Sequence, residues 1–286
     1  FSGNYAQSVR NPSVTELFSP TSRVNSMASD PCAQEDIANG PNPAVRAANC
    51  ARQGIPKGFV SNIVNYGIYG TDGGNAHLQN EVSHSYTGTL HFMPHFIQGL
   101  QLDASFVDVT ISNEIEDLGI SDIMSACYDS GSFPNKYCSM FSRDPDTHQV
   151  TDYREGFVNI ANQHMQALEA KLNYYIPLSR FGERFVNWGA FNLGVNYNHY
   201  VKNTQTFLGA TYPQVGSTSS PKDSFTANLD YVRGPLFVQW QTIYYGPSKF
   251  NVTASEYAET FNSRPDFFYF NTTIGYKITK NLNFNF

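Results

Sequence analysis

The chain has 286 residues, a formal net charge of −6, and 15% each of aromatic and of charged residues. The negative balance excludes a nucleic-acid binder, since no basic stripe exists to neutralise phosphates, and the charged fraction lies well below the roughly 25% of a soluble domain. No apolar run reaches the ~18 residues of a membrane-crossing helix. The 22 Phe and 18 Tyr, set among abundant Asn, Ser, Thr and Gln, instead describe a surface apolar on one side and uncharged-polar on the other, the combination a large transmembrane barrel needs.

Period two dominates along the chain. It opens on Phe1 inside an alternating segment, so an export signal is expected upstream of it or already removed. Val82, Tyr86, Leu90 and Phe92 then oppose Glu81, Ser83, Ser85, Thr87 and Thr89. From Leu100, the set Leu100, Leu102, Ala104 and Phe106 gives way to Val107, Val109 and Ile111. That change of face predicts a bulge, or a strand leaving the bilayer. Leu168, Ala170, Leu172, Tyr174 and Ile176 oppose Ala167, Glu169, Lys171 and Asn173. Between Phe185 and Val201, Phe191, Leu193, Val195 and Tyr197 oppose Asn192, Gly194, Asn196 and Asn198, a run longer than the usual five or six residues of a strand. Phe225, Ala227, Leu229 and Tyr231 continue the pattern, followed by Leu236, Val238, Trp240 and Tyr244, then by Phe268, Phe270, Ile274, Tyr276 and Ile278. A last segment, Asn281 to Phe286, starts one more strand and makes about nine.

The connections alternate between short and long. Short ones fall near Pro94–Gly99, Pro177–Arg184, Arg233–Pro235 and Thr279–Asn281; long ones near Asn11–Gln79, Asn113–Glu155, Asn203–Pro221 and Pro247–Pro265. A compact soluble domain does not normally carry structureless loops beyond about 15 residues. An up-and-down meander with short turns on one side and long loops on the other is the transmembrane barrel arrangement. The competing reading is a secreted carbohydrate-binding β-sandwich, with shorter strands and turns every 8–12 residues or so. Pairs such as Tyr174-Tyr175 and Tyr244-Tyr245 at strand ends suit headgroup depth.

Cys32 and Cys50 lie in one polar loop, Cys127 and Cys138 in another. Four cysteines allow three pairings, and the two local pairs are favoured, each worth roughly 3 kcal/mol. Disulfides imply an oxidising compartment. Free thiols or a four-cysteine metal site are the alternatives, and no CxxC spacing or flanking His supports the metal.

Three stretches resemble TonB-dependent receptors of the Gram-negative outer membrane. Tyr5 to Phe18 (YAQSVRNPSVTELF) resembles the family's strand ending in an aromatic, a small residue, Arg and Pro before ELF. Gly74-Asn75 and Leu78, followed by Glu81, Ser83, Tyr86, Thr87 and Gly88, resemble the stretch opening the next descending strand. Phe157-Val158-Asn159 leading to Ala167-Leu168-Glu169-Ala170 resembles another descending strand, although Gln166 or Ala167 stands where the family has Gly. The resemblance implies an all-β, antiparallel up-and-down transmembrane β-barrel fragment: about nine of 22 strands, with short periplasmic turns and long extracellular loops. Residues 1–286 would form part of one barrel domain, with the plug domain, the TonB box and the first strands outside this chain. Phe286 would begin the penultimate strand rather than be the terminal aromatic.

The implied function is uptake of a scarce nutrient, an oligosaccharide or a ferric siderophore, energised by the TonB–ExbB–ExbD complex acting through the plug. The setting is outer-membrane lipid. A passive porin-type channel is the alternative transport reading. The loop aromatics Tyr66, Tyr69, Tyr128, Phe133, Tyr137 and Tyr153 are the candidate ligand contacts, since aromatic faces stack on sugar rings and catechols; each is equally readable as loop packing. Glu114, Glu116, Asp117 and Asp122 would repel an anionic siderophore and lean toward a neutral ligand. No nucleophile elbow, metalloprotease helix or phosphate loop occurs. His84 and His91 fall on opposite faces of one strand, so no catalytic residue, metal or cofactor is expected.

Overall fold

The computed structural model describes residues 1–207, 210–253 and 259–286. Strand β1 (Ser2–Arg10) leads through helix α1 (Val14–Phe18) to β2 (Ser22–Ser26), α2 (Pro43–Arg52) and β3 (Ile68–Gly73). A hairpin of β4 (Glu81–Phe92) and β5 (Leu100–Leu118) follows, then α3 (Ile120–Tyr128), β6 (Phe141–Arg143) and β7 (Val150–Pro177). Next come β8 (Ala190–Phe207), β9 (Ala210–Pro213), β10 (Asp223–Arg233) and β11 (Leu236–Tyr245). The chain closes with β12 (Ser248–Lys249), α4 (Glu259–Asn262), β13 (Ser263–Arg264), β14 (Phe267–Thr279) and β15 (Leu282–Asn285). Parts of two expected long loops, 208–209 and 254–258, lie outside the described residues.

Nine strands form one antiparallel wall in the order β1-β4-β5-β7-β8-β10-β11-β14-β15. A single wall, with each long strand hydrogen-bonded to its neighbours in sequence, rules out the two stacked sheets of the sandwich reading. Its edges are β1 and β15, so these residues form an arc of a barrel rather than a closed one.

Register assigns the two faces. Leu229 sits opposite Leu193 and Trp240, Phe225 opposite Tyr197 and Tyr244, and Leu172 opposite Val195 and Leu102. On the other face Asn228 sits opposite Gly194 and Gln241, and Lys171 opposite Asn196 and Asp103. Gln241 donates to Asn228 at 2.9 Å and accepts from Asn271 at 2.9 Å, a polar ladder across three strands. The apolar face stays open: Leu229 is 42% exposed, Trp240 48% and Phe270 58%. About half of the roughly 1.5–3 kcal/mol that full burial gives each such side chain is still to be gained on leaving water, so this face calls for hydrocarbon and the polar one for a wet lumen.

Two glycines close the short-turn side. Gly99 (φ 86°) and Gly189 (φ 88°) take left-handed conformations in which a Cβ would collide with the carbonyl oxygens of Tyr175 and Val232. Gly189 also corrects the expected start of the fifth strand. The strand begins at Ala190, whereas Phe185 and Trp188 pack edge-to-face in the turn at 5.5 Å.

On the other side the wall continues past the bilayer. A tilted membrane strand needs about 9–11 residues, and β5, β7 and β8 have 19, 28 and 18. At about 3.3 Å per residue, β7 is roughly 90 Å long. The change of face after Phe106 marks this exit and is not a bulge, because β5 pairs regularly with β7 as far as Ile111; the register shifts come later, between Ile111 and Ile115. Asp108, on the outer face above the apolar band, accepts from Gln166 at 2.6 Å and contacts His164 at 3.1 Å.

The first two long connections are not structureless, contrary to the sequence reading. Their α2, α3 and turns converge on the molecule's hydrophobic core, in which Ile63, Leu118, Ile120, Ile123, Met124 and Val150 are 2% exposed or less. The core therefore caps the extended strands and does not lie within the wall.

Candidate functional site

The cap is held by charge as well as by apolar packing. Pro43 at the first turn and the Asn42 side chain accepting from Val45 N–H start α2. Helix α3 presents Ile120, Ile123, Met124 and Cys127 to the core. Disulfides join Cys32 to Cys50 and Cys127 to Cys138, the two local pairs. The same cap holds a buried ion pair. Arg143 donates to Asp30 at 2.7 and 2.9 Å, to the Tyr128 hydroxyl at 2.9 Å and to the His148 carbonyl at 2.9 Å. Its side chain is 4% exposed and that of Asp30 is fully buried. Burial opposes the guanidinium charge, but Asp30 outweighs it and holds the Arg143 pKa above its ordinary value. A second pair, Arg46 with Asp129 at 2.5 Å, ties α2 to the end of α3.

The candidate aromatics separate into two groups. Tyr128 and Tyr153 are buried in the cap core and have no surface to offer a ligand; Tyr128 donates to Gln53 and Tyr153 to the Ile68 carbonyl. Phe133 stacks on Tyr128 at 5.9 Å, and Tyr137 is half-buried beside it against the same core. Tyr66 and Tyr69 are 71% and 56% exposed, with the Arg23 guanidinium 4.2 Å above the Tyr69 ring. The structure thus gathers four of the six around the cap and leaves two on its surface.

Cavities flank the cap on the lumen side. Asn203 accepts from Gln163 at 3.1 Å on the polar face, and Gln205, two residues on, donates to Glu116 at 2.7 Å. Glu116 sits opposite Val158 on β7, so Val158 shares that lumen-side face. Toward β8, a cavity of about 480 Å³ is lined by Glu116, Asp117 and Asp122 with Phe207, Tyr212 and Phe250. Burial raises the pKa of all three carboxyls; Glu114 adds repulsion at Glu116, and Asp72 adds it at Asp117. Toward β4, two adjoining grooves of about 440 Å³ each share Asn75, His77, Lys136, Met140 and Val158. These volumes fall in the range of small-ligand sites.

Sequence reasoning named the acidic residues and Tyr137 but not Lys136, Arg154 or His77. The available signal was positional: Lys136 lies two residues before Cys138, inside a loop already expected to be stapled. The rim is braced by Arg10, which closes β1 to β4 through Glu81 at 2.5 Å and reaches Glu16 at 3.1 Å. Glu16 and Ser13 form a reciprocal cap at the start of α1.

Comparison with known proteins agrees with this architecture. A family model described as "TonB dependent receptor-like, beta-barrel" matches residues 1–286. Comparison with curated protein sequences gives no match. Among solved structures, the siderophore receptor PirA from Acinetobacter baumannii superposes with a TM-score of 0.55 at 13% identity, covering 97% of this chain and 32% of that one. A mutant of the ferric enterobactin receptor PfeA from Pseudomonas aeruginosa gives 0.55 at 12%, covering 98% and 31%. At these identities the likeness is one of fold, and the chain spans about a third of the length of either receptor.

Proposed function

The chain belongs to the TonB-dependent receptor β-barrel family, and from that premise we propose that it is the wall and mouth of an importer for a scarce nutrient, a ferric siderophore or an oligosaccharide. Barrels of this family reside in the bacterial outer membrane. In this reading a plug domain outside these residues fills the lumen, and the TonB–ExbB–ExbD complex works on the plug. Of the two solved relatives, one is named as a siderophore receptor and the other as a ferric enterobactin receptor, which favours the first ligand class.

The observation that carries the proposal is the cap: a disulfide-stapled core raised above the bilayer, with ligand-sized cavities at its base on the lumen side. A passive porin needs a narrow, wet path and gains nothing from a folded mouth of this kind. Uptake of labelled nutrient into cells carrying the full-length protein tests the reading. Import should stop when TonB is deleted. Continued import without TonB, with free ion conduction by the purified protein, would favour the porin instead.

A further inference from the structure

The groove beneath the second disulfide differs from its surroundings in charge. The chain as a whole carries −6, and the cavity toward β8 is lined by three carboxyls. Lys136 and Arg154 line the joined grooves toward β4, along with His77. Neither cation joins an ion pair among the described residues. Lys136 Nζ stands 5.0 Å from the centre of the Tyr137 ring.

One carboxylate, Glu155, also lines the groove. Its Oε1 accepts from Ile120 N–H at 2.8 Å, so this carboxylate is engaged at the start of α3, and burial raises its pKa above the ordinary value. The groove walls are fixed. Asn135 caps the turn that carries Lys136 and Tyr137, Cys138 of that turn is bonded to Cys127, and Asn159 locks Gln79 and Asn113 by their carbonyls at 2.9 and 2.7 Å. A preorganised site loses less entropy on binding.

We infer that this groove is a binding subsite for an anionic, polyhydroxylated ligand, with Lys136 and Arg154 meeting the negative charge and Tyr137 and the groove amides meeting the ring and its hydroxyls. Two sources supply that chemistry, a ferric catecholate and an acidic oligosaccharide. The inference rests on the receptor reading but fails separately from it. It also reverses the lean toward neutral ligands taken from Glu114, Glu116, Asp117 and Asp122, because those acids sit on β5 and at the start of α3, and three of them face the other cavity.

The test uses the full-length receptor in detergent, titrated with the ferric complex of 2,3-dihydroxybenzoate, with an oligogalacturonate, and with a neutral malto-oligosaccharide. One anionic probe should bind, more weakly as salt rises, and the probe that does so identifies the source. The double variant Lys136→Gln/Arg154→Gln should weaken it at least tenfold. Lys136→Arg/Arg154→Lys keeps both charges but alters their donor geometry, so its affinity should fall between that of the native protein and that of the double Gln variant. Resistance of unheated samples to SDS unfolding checks that each variant has folded. Binding of the neutral probe alone, binding of neither anionic probe, or an anionic probe indifferent to the double variant each overturns the inference. In the first case, TonB-dependent uptake of that neutral solute would leave the receptor reading standing.

Discussion

Replacing Arg143 with Met leaves the Asp30 carboxylate fully buried and without its two guanidinium bonds at 2.7 and 2.9 Å. It also strips one donor each from the Tyr128 hydroxyl and the His148 carbonyl. Breaking a buried pair by removing one partner costs about 3–5 kcal/mol. Because Arg143 bridges Asp30, Tyr128 and His148 across the cap while the wall is held by its own ladders, the loss should be local. A cost of about 3 kcal/mol corresponds to roughly a hundredfold larger opening constant. Hydrogen exchange on the full-length receptor reads this directly: amides of α3 should exchange about a hundredfold faster, with β10 and β11 unchanged. The double variant Asp30→Asn/Arg143→Met should recover part of the protection, since it removes the orphaned charge. Unchanged exchange in α3 after Arg143→Met would refute the claim that this pair holds the cap together.

Three further outcomes follow from the same geometry. Replacing Cys127 and Cys138 with Ser removes a staple across 11 residues, worth about 3 kcal/mol in the chain-entropy model; limited proteolysis should then cut the 127–140 region first, and an unaltered cleavage pattern counts against it. The carboxyls of Glu116, Asp117 and Asp122 have raised pKa values in the fold, so their contribution is most favourable below their ordinary pKa and is lost as pH rises through the raised one. Cap exchange should therefore slow as pH falls from neutral through the carboxylate range, after correction for intrinsic rates, and Glu116→Gln/Asp122→Asn should flatten that dependence. Leu229→Arg puts a charge on the lipid face and should cost about 2–4 kcal/mol, read by reversible folding into vesicles, while Asn228→Arg on the adjacent lumen-facing position should cost far less.

The wall was legible because its signal is local. Alternation at Phe191–Asn198 or Phe225–Tyr231 sets which face each side chain takes before any partner is known, and pairing such as Leu229 with Leu193 and Trp240 follows from it. The cap was not legible, because its contacts are distant in sequence. Asp30 meets Arg143 across 113 positions, and Asn49 meets the Tyr128 carbonyl across 79. No periodicity announces such pairs. The cysteines alone hinted at order in those loops, and they did so without showing that Tyr128 and Tyr153 would turn inward while Tyr66 and Tyr69 stayed out. Alternation shows the lower half of β7 from Ala167 onward, and the resemblance places 157–162 on the same strand. Only its first residues, 150–155, fall in a stretch read as loop, and the register shift between Ala161 and Asn159 interrupts the phase that would have joined them.

The account stands on the two faces of the wall. Spin labels at Leu172, Val195 and Leu229, compared with Lys171, Asn196 and Asn228, measure this most directly in the full-length protein reconstituted into lipid. Collisions with oxygen should dominate at the first three sites, and collisions with a water-soluble nickel complex at the other three. Equal access to both reagents along the two rows, or the reverse pattern, would contradict a wall with one face in lipid and the other in a wet lumen.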